Sequence, residues 1–323
     1  MTDTIEDTTE WARRYATPSR DVCRQALLEL AREDPRIMCV DSDVGGLEDL
    51  FGDLPDQYVN VGIAEANLIG TAAGMAAAGL IPYAHTLSSF AAARACEQIK
   101  IDVAGNDLPV RIVVTHGGLS AGHYGPTHHA VEDLAILRLM PNLTVVVPAD
   151  AAEAERALLA THRLPGPVVI RLGRAATPLV YRGPYEFEVG RAVRLADGDD
   201  VTLVATGPYP VGMAVRAAEL LADAGVHARV LNMHTVKPLD VAALREAAAR
   251  TRGIVTVEDH LVVGGLGGAV CEAVAADPCP VRRIGVPDRF SDRVGGELDL
   301  LTAAGITTEA VVREAMAIVS AQP

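Results

Sequence analysis

The chain has 323 residues, 50% hydrophobic and 22% charged, which at roughly 100–200 residues per domain points to two globular domains and excludes a disordered or collagenous chain. Lys and Arg number 28 against 42 Asp and Glu, for a formal net charge of -14; such a field repels polyanions, so nucleic acid and acidic membrane surfaces are not expected partners. Cys23, Cys39, Cys96, Cys271 and Cys279 include no Cys-x-x-Cys pair, which argues against a disulfide framework and a thiolate metal site and fits a reducing cytoplasm.

The first residues, Met-Thr-Asp-Thr-Ile-Glu-Asp, are acidic where a signal peptide would be basic. Ser19 is expected to cap a helix that carries Val22, Ala26, Leu27, Leu30 and Ala31 at helical spacing. A strand over 37–40, a helix over 64–78 closed by Gly79, a strand over 81–84, a helix over 89–103 and a strand over 111–115 follow. The most membrane-like stretch, 68–84, is broken by Gly70, Gly74, Gly79 and Pro82 and is too short to span a bilayer. Asp150 and Glu153 have capping-box spacing for a helix through Leu159, and 167–172 reads as a further strand. Between Gly173 and Gly190 the periodicity lapses into Pro, Gly, Tyr and Arg, as in an interdomain linker. Strands over 201–205, 228–232, 253–258 and 281–284 then alternate with helices over 209–224, 241–250 and 267–276, and a last helix covers 308–319. This alternation predicts two doubly wound α/β domains with mainly parallel sheets, at 17–180 and 190–323.

Glu65 is a lone carboxylate at the head of a helix otherwise made of Ala, Gly, Leu and Ile. An unpaired buried carboxylate is costly, so it must be solvated, partnered or protonated; a first-turn Glu favoured by the helix dipole is an equally good reading of the spacing. Residues 116–129 hold four of the nine histidines in one Gly-rich loop after a strand. That is where α/β sheets bind ligands, and a substrate-facing loop is favoured over a zinc site or a plain surface loop. Arg174, just past a strand, could clamp a phosphate or carboxylate, although a solvated linker arginine is the simpler reading. Gly264-Gly-Leu-Gly-Gly268 lacks dinucleotide-loop spacing and reads as a tight turn that serves helix packing.

Four ordered motifs carry a resemblance: Val-Gly-Ile-Ala-Glu-Ala-Asn at 61–67, His-Gly-Gly-Leu-Ser-Ala-Gly-His-Tyr-Gly-Pro-Thr-His at 116–128, Leu-Met-Pro-Asn-Leu-Thr-Val-Val-Val-Pro-Ala-Asp at 139–150 and Val-Leu-Asn-Met-His-Thr-Val-Lys-Pro-Leu-Asp at 230–240. Over about 17–319 the chain resembles the C-terminal half of transketolases, a pyrimidine-binding domain followed by a transketolase C-terminal domain. Such enzymes hold thiamine diphosphate through magnesium on a separate pyrophosphate-binding domain marked by Gly-Asp-Gly. This sequence has no Gly-Asp-Gly, so the resemblance implies the C-terminal subunit of a split transketolase, with diphosphate and Mg2+ held by an N-terminal partner subunit in a heterotetramer.

The same resemblance assigns roles. Glu65 would hydrogen-bond the aminopyrimidine ring nitrogen and favour the imino tautomer that deprotonates the thiazolium carbon. Phe90 would stack on that ring, with Leu87 where a second aromatic usually sits, and Asp43 and Val44 would approach the thiazolium. His116 and Arg174 match phosphate-binding positions, and His128 matches one that faces the reacting carbonyl. Tyr124 stands where transketolases read a sugar hydroxyl with aspartate, and Leu47 lies at or near a phosphate-binding serine. Those two departures point to a modified, less hydroxylated or unphosphorylated acceptor. The expected reaction is transfer of a two-carbon ketol unit from a ketose to an aldehyde. The alternatives are the β subunit of a 2-oxo acid dehydrogenase and a non-catalytic regulatory paralogue. Glu258, His260 and the Gly264 turn are assigned to assembly.

Overall fold

Parallel strands buried on both faces need continuous apolar runs, and the chain supplies them. The computed structural model describes residues 11–181, 183 and 185–321; the acidic start of the chain and the last two residues lie outside these. Strands β1 (Ile37–Asp41), β2 (Tyr58–Asn60), β3 (Ile81–Leu87), β4 (Arg111–Thr115), β5 (Thr144–Val146) and β6 (Val168–Arg171) form a parallel sheet in the order β5-β6-β4-β3-β1-β2. Helices α1 (Ser19–Glu33) and α7 (Ala151–His162) cover one face with Cys23, Leu27, Ala154 and Leu158. The other face packs against α3 (Glu65–Ala77), through Leu68, Ile69 and Ala72, and against the helical segment after β3.

The second sheet joins β7 (Val193–Ala196), β8 (Val201–Thr206), β9 (Ala228–Asn232), β11 (Ile254–Leu261) and β12 (Val281–Val286) in the order β12-β11-β8-β9-β7, with only β7 antiparallel. Helices α8 (Pro208–Asp223) and α12 (Thr308–Ser320) bury Val211, Ala214, Leu221, Val311 and Ile318 against one face. On the other, α9 (Val241–Arg250) and α10 (Leu266–Ala273) bury Leu244, Leu266 and Val270. The fold is therefore two doubly wound α/β domains. One element crosses between them: β10 (Thr235–Lys237) leaves the second half and pairs antiparallel with β5 at the edge of the first sheet.

Local departures from the periodicity have physical reasons. Pro18, not Ser19, holds the N-cap of α1, and its carbonyl accepts from Asp21 N–H at 2.9 Å. The helix expected over 89–103 breaks into α4 (Ser88–Ala93), α5 (Cys96–Gln98) and a π-helical turn over Ile99–Ala104. The first break is a widened turn in which Ala95 N–H reaches back to Phe90 O at 3.2 Å. Strands β2, β5, β7 and β10, and helices α2 (Leu47–Leu50), α6 (Asp133–Arg138) and α11 (Glu297–Ala303), are too short to show a clear period.

Half of the capping box forms, with Glu153 N–H on Asp150 Oδ1 at 2.8 Å, while the Glu153 side chain takes Ala149 N–H at 2.6 Å instead of that of Asp150. It also anchors the linker, because Asp150 Oδ2 accepts from Val180 and Tyr181 N–H, and buried Glu153 accepts from Tyr181 and Tyr185 hydroxyls and from Asn232 of β9. The interdomain linker is thus pinned to both domains. Among the described residues no helix is long and apolar enough to cross a membrane.

Candidate active site

All six parallel strands of the first sheet point their carboxyl ends the same way, and the singled-out residues gather at that edge. Asp43 and Val44 follow β1, Glu65 opens α3, Leu87 ends β3 with Phe90 in α4, His116 follows β4 and Arg174 follows β6. Glu65 is 4% exposed. Of the three states open to it, the structure shows the partnered one: Arg94 Nη1 donates to Oε1 at 3.2 Å and Oε2 at 3.3 Å. The Arg94 guanidinium also lies over the Phe90 ring, 3.9 Å from its centroid.

From Phe90 a row of rings leads outward. His128 meets it edge-on at 5.1 Å, Tyr124 lies 5.1 Å from His128, and His116 lies 6.0 Å from Tyr124. The Arg174 guanidinium sits 5.4 Å from the Tyr124 ring centroid. Phe90, His128, Tyr124 and His116 thus follow ring to ring, Arg174 joins at Tyr124, and Glu65 reaches Phe90 through Arg94. Leu87 is half-buried, and Val44 N–H is held by Asp41 Oδ1 at 3.1 Å while Asp43 takes a left-handed φ of 65°. His85 and His129 are buried and His123 is exposed. Leu47 is fully buried in the core beside α1, so at this position the chain offers a hydrophobic plug rather than a group facing a ligand.

Burial holds His116 down to about 4, with the positive field of Arg174, Arg20, His128 and Arg24 adding to it. Its ring is therefore neutral near pH 7 in an electropositive surrounding. Sequence reasoning misses Arg20 and Arg24 of α1, since nothing in a helical Arg-x-x-x-Arg pattern says that it ends beside a loop a hundred residues later.

The glycines of the 116–129 loop serve a purpose other than close approach to a ligand. A Cβ on Gly118, at φ +61°, would overlap the Asp259 carboxylate, and one on Gly122 would overlap Gly295 O. Asp259 accepts from Leu119 N–H at 2.9 and 3.1 Å, so the second domain braces the loop. Arg171 completes the brace. Fully buried, it donates to both oxygens of Asp133 at 2.6 and 3.1 Å and to the carbonyls of Ala130 and Asp259 at 3.0 Å each. Glu258 caps α10 by accepting from Leu266 and Gly267 N–H, and His260 Nε2 accepts from Ala135 N–H of α6 at 3.1 Å. Both are buried inside the chain; His260 and Gly264 O, which takes Arg138 Nε, join the two domains, while Glu258 holds the Gly264 turn within the second.

Burial raises the carboxyl groups of Asp259 and Glu297 above the usual range, with the charge of Asp133 adding to it at Asp259 and that of Asp259 at Glu297. The folded chain therefore holds their protons to higher pH than the unfolded chain does, and that stabilisation is lost as pH rises through the raised folded values. Glu297→Gln is expected to leave Tm nearly unchanged at pH 4, below the unfolded carboxyl value, and to raise stability by roughly 1–4 kcal/mol at pH 8.5. An equal shift at both pH values in thermal melts would exclude the linkage.

Residues 16–179 match the family model for the transketolase pyrimidine-binding domain, and 190–311 the model for the transketolase C-terminal domain. The chain belongs to the transketolase family. It is 39% identical over 305 residues to an apulose-4-phosphate transketolase subunit of Phocaeicola vulgatus, covering 92% of this chain and 97% of that one. It is 40% identical over 300 residues to a 6-deoxy-6-sulfo-D-fructose transketolase subunit of Clostridium sp. (strain MSTE9), covering 92% of each. A solved split-gene transketolase described as an inactive beta4 tetramer superposes with a TM-score of 0.85 at 39% identity, over 94% of this chain and 98% of that one. A transketolase from Leishmania mexicana gives 0.75 at 25% identity, where this transketolase chain spans 94% of itself and 46% of the neighbour.

Family membership implies thiamine diphosphate, and the geometry around Glu65 fits its aminopyrimidine. A flat nitrogen-bearing group, the Arg94 guanidinium, already stacks on Phe90 while bonded to the Glu65 carboxylate. Next to Phe90, the buried Ser89 Oγ has no hydrogen-bond partner among the described residues. Among those residues no group of three or more His, Cys, Asp or Glu is arranged to hold a metal ion.

Proposed function

We propose that this chain is the C-terminal subunit of a split thiamine diphosphate-dependent transketolase that passes a two-carbon ketol unit from a ketose to an aldehyde. The observation that carries the reading is the buried Glu65 carboxylate, joined through Arg94 to the Phe90 ring that His128 also meets, at the carboxyl edge of the sheet. Its counterpart would be an N-terminal subunit with a pyrophosphate-binding domain, which supplies the diphosphate and Mg2+ site in a cytoplasmic heterotetramer. This chain would contribute its two domains, 17–180 and 190–323.

When bound, the coenzyme would supply a nucleophilic carbon for the ketose carbonyl. The chain's own residues set that up. Glu65 would hydrogen-bond the pyrimidine ring nitrogen, Phe90 and Leu87 would pack its faces, and Asp43 and Val44 would line the approach to the thiazolium. His128, second in the row of rings, would hold the reacting oxygen and move its proton. His116, with Arg174, Arg20 and Arg24 around it, would hold the distal end of the substrate. Three guanidinium groups favour an anionic substrate over a neutral one, while Tyr124 in place of a carboxylate acceptor disfavours the usual hydroxyl recognition. A phosphorylated or sulfonated sugar with altered hydroxylation fits both. The two transketolase subunits named above carry substrates of that type in their names, and being transketolase subunits they do not favour a 2-oxo acid dehydrogenase.

Thiamine diphosphate and Mg2+ titrated into this chain, into the N-terminal subunit and into their mixture are expected to bind tightly only in the mixture, as read by calorimetry. Tight uptake by this chain alone would overturn the split-site reading.

A further inference from the structure

We propose that Arg94 is a built-in surrogate for the coenzyme's aminopyrimidine: it fills the seat between Glu65 and Phe90 until the ring arrives, and it must swing out to admit it. The inference rests on the thiamine reading above. Guanidinium and aminopyrimidine are both flat, both present nitrogens at their edges, and both stack on an aromatic face. In the chain by itself the guanidinium already does the two jobs the ring would do, with Nη1 on both Glu65 oxygens at 3.2 and 3.3 Å and its central carbon 3.9 Å from the Phe90 centroid.

The two occupants exclude one another. A ring bonded to Glu65 and stacked on Phe90 has to lie on the side of Phe90 that faces Glu65, and that is where Arg94 lies. Arg94 is the C-cap residue of α4, i,i+4 from Phe90, which brings the two side chains to the same side of the chain. The widened turn at Ala95 ends the helix there, and the Arg94 side chain is 51% exposed, so water is open to it as an exit. Glu65, by contrast, is 5% exposed in its side chain and has no such freedom. The arginine therefore keeps a buried carboxylate partnered and an aromatic face covered while the seat is otherwise empty. A half-exposed ion pair and a cation–π contact are weak enough to be exchanged, and together they would lower apparent affinity for the ring by about tenfold.

The test uses the full-length chain and thiamine itself, whose ring needs no diphosphate site, followed by ligand-observed NMR. Arg94→Met is expected to bind thiamine about tenfold more tightly than the wild type, and methylguanidinium should compete for the opened seat. In the wild type, the Arg94 Nε–H resonance, displaced by the Phe90 ring current, should move towards its free-arginine position as thiamine saturates; this readout needs no variant. Equal or weaker binding by Arg94→Met, or an unmoved Arg94 resonance in thiamine-bound wild type, overturns the surrogate and leaves the thiamine reading standing. If neither chain binds thiamine and the two-subunit mixture takes up no thiamine diphosphate, the thiamine reading fails and the surrogate falls with it.

Discussion

Glu65→Gln in the assembled two-subunit complex is expected to lower turnover by about 10²–10⁴-fold while the melting temperature of the chain hardly moves. The amide keeps the shape of the side chain and its place at the head of α3, but offers neither the charge nor the proton of a carboxyl group to a ring nitrogen. The Glu65–Arg94 pair is half-exposed on the arginine side, so its loss costs at most about 1 kcal/mol. Steady-state rates and thermal melts on the same preparation separate the two effects. Full turnover by the variant would move the chain to the non-catalytic paralogues; a collapse of Tm in parallel with activity would make Glu65 a structural residue.

The second large effect concerns stability and lies in the brace behind the loop. Arg171→Met is expected to destabilise the chain by about 3–5 kcal/mol, lowering Tm by roughly 6–15 °C. Four hydrogen bonds start from this guanidinium, and without it the fully buried Asp133 carboxylate keeps, among the described residues, the Ser88 hydroxyl and the Leu134 N–H. An uncompensated buried charge, not the lost attraction, dominates the cost. Adding Asp133→Asn should therefore recover part of the stability. A single variant that melts within a degree or two of wild type, or a double variant no better than the single, would contradict this account.

Much of the fold is legible in the chain because its signals are local. The apolar runs at β1, β4 and β6 and the capping box at Asp150 and Glu153 depend on neighbours a few residues away, and they appear where the pattern puts them. Glu65, Phe90, His116, Tyr124, His128 and Arg174 are marked by motif, and the fold brings them into one cluster in which Arg94 links Glu65 to Phe90. What stays hidden depends on partners distant in sequence. Arg94 is an ordinary helical arginine until Glu65 is placed beside it, although its i,i+4 spacing from Phe90 is a usable hint. Gly118 and Gly122 read as room for a ligand because the Asp259 carboxylate and Gly295 carbonyl that crowd them lie more than a hundred residues away. Leu47 stands out as a lost polar group, and burial explains its leucine.

The strand β10 gives the molecule a seam that does not follow its linker. Because residues 235–237 complete the first sheet from within the second half, a cut between the halves would strip β5 of its antiparallel neighbour and expose an edge that invites mispairing. Recombination that shuffles either half alone among paralogues is expected to inherit the same penalty.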